Sequence, residues 1–153
     1  MRIMLVDDDQ LIRECIRSYY DWEQKGYEIC AEASNGEEAW KLIQQSAPDI
    51  ILTDISMPKC NGVELIKRLA HTGFMGKIIV MSNHSDFDYV KDAMKYGAFD
   101  YCLKHKMTPQ SLLSMLDAAR SSILSRQNTS QNGPLNRSFF EAVLAGVPAI
   151  CPE

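Results

Sequence analysis

Within its first 124 residues this chain repeats one pattern five times: a short apolar run, then apolar residues at helical spacing. The runs are Ile3–Val6, Tyr27–Ala33, Ile50–Thr53, Lys77–Ser82 and Phe99–Leu103. After them come Leu11, Ile12, Cys15, Ile16 and Tyr19; Ala39, Trp40, Leu42 and Ile43; Val63, Leu65, Ile66 and Leu69; Phe87, Val90, Ala93 and Met94; and Leu112, Leu113, Leu116, Ala119 and Ile123. Apolar residues three and four apart share one helix face, so each stripe predicts an amphipathic helix. Helix-starting residues stand where that reading needs them. Ser34-Asn35-Gly36-Glu37-Glu38 opens the second helix, Ser85 with Asp88 fits a capping box, and Thr108-Pro109 sets an N-cap before a first-turn proline. Strand and helix in strict alternation predict an α/β fold, in which crossover helices return the chain to a parallel sheet and cover both faces.

The totals narrow the class. A chain of 153 residues supports one cored domain with a short extension. Its net charge of -4 gives no general attraction to nucleic acid or to an anionic membrane. No apolar run approaches the roughly 20 residues of a membrane span, and Met1-Arg2-Ile3 leads straight into a strand, so neither a span nor a signal peptide is expected. Cys15, Cys30, Cys60, Cys102 and Cys151 are scattered without a CxxC pair, which points to reduced thiols and a cytoplasmic setting. Residues 1–124 therefore read as one domain and Ser125–Asn136 as a polar linker. Residues 137–153, with Phe139, Phe140, Val143 and Leu144, read as the start of a further helical segment in a longer protein.

Polar residues that could do chemistry gather where the apolar runs end. Asp7, Asp8 and Asp9 follow the first run, Asp54 the third, Ser82 closes the fourth, and Lys104 follows the fifth. In open α/β sheets ligands bind at the carboxyl ends of the strands. Carboxylates brought together there repel unless a cation neutralises them or one takes up a proton. Oxygen-only donors suit Mg²⁺ or Mn²⁺. The compact ammonium of Lys104 and the hydroxyl of Ser82 could then meet the oxygens of a phosphoryl group. Each residue also has a plainer explanation: acids favoured at a helix N-terminus, a turn-forming Asp54, a solvated Lys104. That account fits any one of them better than it fits the set.

The set, with Met57-Pro58, Asn61-Gly62, Gly97-Ala98 and Tyr101-Cys102-Leu103-Lys104, resembles the receiver domain of bacterial two-component response regulators, from about Arg2 to Arg120. The resemblance implies a flavodoxin-like (CheY-like) five-stranded sheet of order 2-1-3-4-5. It implies that Asp54 is the phosphoacceptor, attacking a phosphohistidine of a sensor histidine kinase in a phosphotransfer the domain itself catalyses. Asp8 would bind Mg²⁺ directly, Asp7 mainly through water, Asp54 through a carboxylate oxygen and Ser56 through its carbonyl. Ser82 and Tyr101 would form the switch, and the faces of the fourth helix, fifth strand and fifth helix would support a phosphorylation-dependent homodimer. Ser56 and His84 fall where family members vary. The family's proline after the lysine is here His105, so a trans Lys104–His105 bond is expected, since cis costs a non-proline residue about 2.5–4 kcal/mol.

Segments such as Asp21-Trp22-Glu23, Ser34-Asn35-Gly36-Glu37-Glu38-Ala39, Ser85-Asp86-Phe87-Asp88-Tyr89 and Lys104-His105-Lys106-Met107-Thr108-Pro109 are similar to receivers fused to AraC-type helix-turn-helix domains. DNA would then be bound through an effector domain absent from this chain. Two other functions compete. A haloacid-dehalogenase-like phosphatase would use Asp7-x-Asp9, but a later pair of metal-binding acids is missing and Asp54 would have no role. A receiver-like interaction module that is never phosphorylated would have no need of the full acid set.

Overall fold

The computed structural model describes residues 1–57, 60–83 and 86–132, the side chains of 127–132 aside. Five strands, β1 (Arg2–Val6), β2 (Glu28–Ala33), β3 (Ile50–Asp54), β4 (Lys77–Ser82) and β5 (Asp100–Leu103), form one parallel sheet in the order β2-β1-β3-β4-β5. The helices are α1 (Gln10–Ser18), α2 (Gly36–Ser46), α3 (Gly62–Thr72), α4 (Phe87–Lys95) and α5 (Pro109–Asn132). The chain divides into two units, Met1–Leu116 and Asp117–Glu153; the site described below lies in the first.

Alternate strand residues form two buried layers, as the period of a strand requires. Met4, Val6, Ile51, Ile78 and Val80 join one cluster with Ala39 of α2, Leu65, Ile66 and Leu69 of α3, and Val90 and Ala93 of α4. Ile3, Leu5, Ile50, Leu52, Ile79 and Met81 alternate with them and are equally buried, so the sheet is covered on both faces. Each such aliphatic side chain contributes about 1.5–3 kcal/mol of burial free energy. The central strand β3 has no exposed residue, which explains its unbroken apolar run up to Asp54.

Side-chain caps set the helix starts. Asp9 accepts from Leu11 N at 2.9 Å, Asn35 from Glu38 N at 2.9 Å, and Asn61 from Glu64 N at 3.0 Å. Glu38 returns the favour, accepting from Ser34 N at 2.7 Å. Thr108 and Ser111 close the start of α5, Ser111 N donating to Thr108 Oγ1 at 3.1 Å. Each cap stabilises its helix by about 1 kcal/mol.

Two elements differ from the sequence-based expectation. Helix α4 begins at Phe87 with Asp86 as an N-cap whose side chain does not bond the helix. Its carboxylate instead accepts from Asn83 N at 2.9 Å, tying the loop back to the end of β4; Ser85, the expected cap, and His84 lie outside the described residues. Helix α5 continues to Asn132, so the first eight residues of the polar segment at 125–136 are helical. Polar composition exposes a helix without ending it, and no glycine or proline intervenes before Gly133-Pro134. The expected segment at 137–153 lies outside the described residues.

The loop between β3 and α3 is fastened at two points where no side chain fits. Gly62 N donates to Ile55 O at 3.0 Å, and a Cβ on Gly62 would stand 2.7 Å from Asp54 O. Gly36, the first residue of α2, donates to Cys60 O at 3.0 Å, and its Cβ would meet that oxygen at 2.4 Å. The obstacle is backbone, so it cannot rotate away. Gly36→Ala is expected to lower the unfolding free energy by about 1–3 kcal/mol in urea titrations; an unchanged midpoint would show that the loop yields freely.

Candidate functional site

The strand order reverses between β1 and β3, where one crossover leads left to β2 and the other right to β4. Asp7 and Asp54 stand at that point. Asp54 is the last residue of β3 and only 3% exposed. Asp7 follows β1, is fully buried, and extends the ladder by donating its N–H to Ala33 O at 3.0 Å. One of its oxygens accepts from Asp9 N at 2.9 Å. Asp8 points outward, and carboxylate oxygens of Asp7, Asp8 and Asp54 lie within 4.8 Å of one another.

Lys104 reaches this pair from the end of β5. Its Nζ lies 2.9 Å from Asp7 Oδ2 and 3.1 Å from Asp54 Oδ2. The Lys104–His105 bond is trans, as expected. In place of a proline, residues Lys104–Lys106 form a 3-10 turn closed by Met107 N on Lys104 O at 3.3 Å. The two ion pairs and this turn fix the ammonium without any ring restraint.

One lysine does not compensate two buried acids. Burial, then the charge of Asp7, pushes Asp54 up to about 6, against the opposing pull of Lys104. Burial likewise raises Asp7. Lys104 is lowered by burial, but its hydrogen bond to Asp7 and the charge of Asp54 prevail and raise it. Hard oxygen donors, crowded and short of positive charge, with one exposed member at the opening, fit Mg²⁺ or Mn²⁺. Asp7, Asp8 and Asp54 would hold the ion. Ser56 is exposed beside them, its N–H donating to Asp54 Oδ1 at 3.3 Å.

Ser82 and Tyr101 line one cavity beside β4 and β5. Ser82, at the end of β4 beside Leu103, is fully buried, yet its hydroxyl has no hydrogen-bond partner among the described residues. It lines a cavity of about 410 Å³ with Asn83, Phe87, Val90, Met94 and Leu103. Tyr101, on β5 beside Val80, stands at the same cavity with its side chain 46% exposed to solvent. The sequence showed both residues but not this space, which exists only because β4, β5 and the start of α4 meet. The Gly36–Cys60 contact was missed too; its only sequence signal is a glycine at the first helical position.

Residues 3–117 match the response regulator receiver domain family. The chain belongs to that family. Among curated relatives, it is 32% identical over 164 residues to the uncharacterized transcriptional regulatory protein YesN of Bacillus subtilis, covering 99% of this chain and 44% of that protein. It is 35% identical over 103 residues to the transcriptional regulatory protein HptR of Staphylococcus aureus, covering 67% and 40%. The chain thus spans about two-fifths of the length of these relatives. Among solved structures, the receiver domain of AraT from Geobacillus stearothermophilus superposes with a TM-score of 0.75 at 31% identity, covering 82% of this chain and 97% of that one. A two-component transcriptional regulator AraC from Clostridium phytofermentans gives 0.72 at 29%, covering 83% and 98%. The receiver's flavodoxin-like order, β2-β1-β3-β4-β5, is the one found here.

The raised Asp54 carries a linkage prediction. Its folded value of about 6 exceeds the usual 3.8, so the stability it contributes is complete below about 3.8 and is lost as pH rises through about 6. In metal-free receiver at pH 8, Asp54→Asn is expected to raise the unfolding free energy by about 2 kcal/mol and to flatten the stability profile between pH 4 and 7, read by thermal melts in EDTA. By the same competition, Mg²⁺ affinity measured calorimetrically should fall as pH drops through about 6, where protons occupy Asp54.

Proposed function

We propose that this receiver accepts a phosphoryl group on Asp54 from a phosphohistidine of a sensor histidine kinase and catalyses the transfer itself. The observation that carries the reading is the pairing of Lys104 with both buried acids at the switch point of the sheet. An Asp54 carboxylate oxygen attacks phosphorus, the phosphorus–nitrogen bond breaks, and its electron pair stays on the imidazole. Lys104, already within 3.1 Å of Asp54, offsets charge on the phosphoryl oxygens. Bound Mg²⁺ would neutralise the remaining negative charge; Asp7, Asp8 and Asp54, with the carbonyl of Ser56, are its proposed holders.

Ser82 supplies the switch. Its buried hydroxyl lacks a partner among the described residues, and a phosphoryl oxygen on Asp54 would give it one. As Ser82 turns toward Asp54, the cavity beside it becomes free for the Tyr101 ring. The altered α4–β5 surface then favours a homodimer. Residues 1–124 are the receiver, 125–136 the connection and 137–153 the start of the next segment, in keeping with the length of the transcriptional regulatory proteins that this chain matches. DNA would be bound by an effector domain beyond the chain. No described helix is long and apolar enough to cross a membrane, and a cytoplasmic location follows from the kinase partner.

Intact-mass measurement after incubation with acetyl phosphate and Mg²⁺ tests the reading. One phosphoryl adduct is expected, absent in Asp54→Asn and in EDTA. Sustained phosphate release from varied small esters would favour a phosphatase. No adduct from any donor would leave a module that only binds.

A further inference from the structure

The cavity between β4, β5 and α4 has features that a turning tyrosine does not require. Its α4 side is a single stripe, Phe87, Val90, Lys91 and Met94, whose spacing places all four on one helix face. Phe87 is 73% and Met94 39% exposed, so two large apolar side chains border the space without being covered. At the end of β4 the buried Ser82 hydroxyl has no hydrogen-bond partner among the described residues. Lys91 is the one charged residue among the described lining residues, and it forms no ion pair with another described residue.

Each feature selects part of a ligand. The apolar walls suit a flat ring, against which Phe87 can stack and the Met94 sulfur can rest. An ammonium with no acid lining the space beside it, among the described residues, selects a negative charge. The orphan hydroxyl calls for a polar atom at the buried end, because an unpaired buried hydroxyl costs free energy. A volume of about 410 Å³ is at the small end of ligand sites, which run from about 300 to 1,000 Å³. A single turn of a helix about 10–12 Å across would take up all of it, so a peptide is a poor occupant. We propose that this cavity binds a small aromatic carboxylate: its ring lies against Phe87, Val90, Met94 and Leu103, its carboxylate pairs with Lys91, and a ring hydroxyl meets Ser82.

Such a ligand and an inward-turned Tyr101 ring compete for one space, and both states make a claim on the Ser82 hydroxyl. The ligand therefore favours the unphosphorylated arrangement, and phosphorylation weakens the ligand by the same factor. The site itself stands without the phosphotransfer reading; only this antagonism rests on it.

Ligand-observed NMR titration of the unloaded chain with para-hydroxybenzoate tests the site. A Kd of roughly 0.1–1 mM is expected for a ligand of this size. Benzoate lacks the hydroxyl, para-hydroxybenzyl alcohol lacks the charge, and tyramine reverses it; each should bind at least about fivefold more weakly. Met94→Trp should fill the space and abolish binding. Lys91→Glu should lose the acid and prefer tyramine, a reversal that also shows the variant to be folded. Equal binding of all four probes, unchanged binding in both variants, or no binding of para-hydroxybenzoate at about 10 mM would overturn the site. Protein loaded from acetyl phosphate, with occupancy read by intact mass, should bind at least about tenfold more weakly than unloaded protein. Undiminished binding by loaded protein would overturn the antagonism and leave the site standing. Failure to load would sink the phosphoacceptor reading and the antagonism with it, while the titration of unloaded protein still decides the site.

Discussion

The rest of this structure depends on one ammonium group shared between two buried carboxylates. Asp7 and Asp54 could not both be held ionised at the ends of adjacent strands without Lys104, and Lys104 could not be drawn so far from water without them. The arrangement joins β1, β3 and the turn after β5, three pieces that are remote in sequence. It sets one ammonium against two acids, and burial, then the charge of Asp7, pushes Asp54 up to about 6. A receiver needs that shortage. A fully neutralised site would have no reason to take up a divalent ion, and an unbalanced one without Lys104 would give up its ionised state.

Much of this was legible in the chain. The strands announced themselves because a sheet covered on both faces requires unbroken apolar runs, and β3 is buried from Ile50 to Asp54. The caps at Asn35 and Thr108 followed from local hydrogen bonding, which acts over three or four residues. Asp7, Asp8, Asp54 and Lys104 could be recognised as a set. Their pairing could not be read from spacing, because it needs the strand order.

What escaped the sequence is tertiary in origin. The start of α4 shifted because the Asp86 carboxylate took the N–H of Asn83 rather than one within the helix. Helix α5 ran past its apolar stripe because nothing in Ser125–Asn132 stops a helix. The cavity beside Ser82 is a space between elements, and no residue pattern encodes a space.

The hydrogen bond from Gly36 to Cys60 has a further consequence. It makes the beginning of α2 and the loop after Asp54 one mechanical piece, so a displacement of that loop must be carried into α2. Trp40 sits one turn along this helix, its ring 5.8 Å beneath the guanidinium of Arg68 on α3. A cation held over an indole alters its emission. The helix that carries this indole is thus tied, through one backbone hydrogen bond, to the loop that follows Asp54.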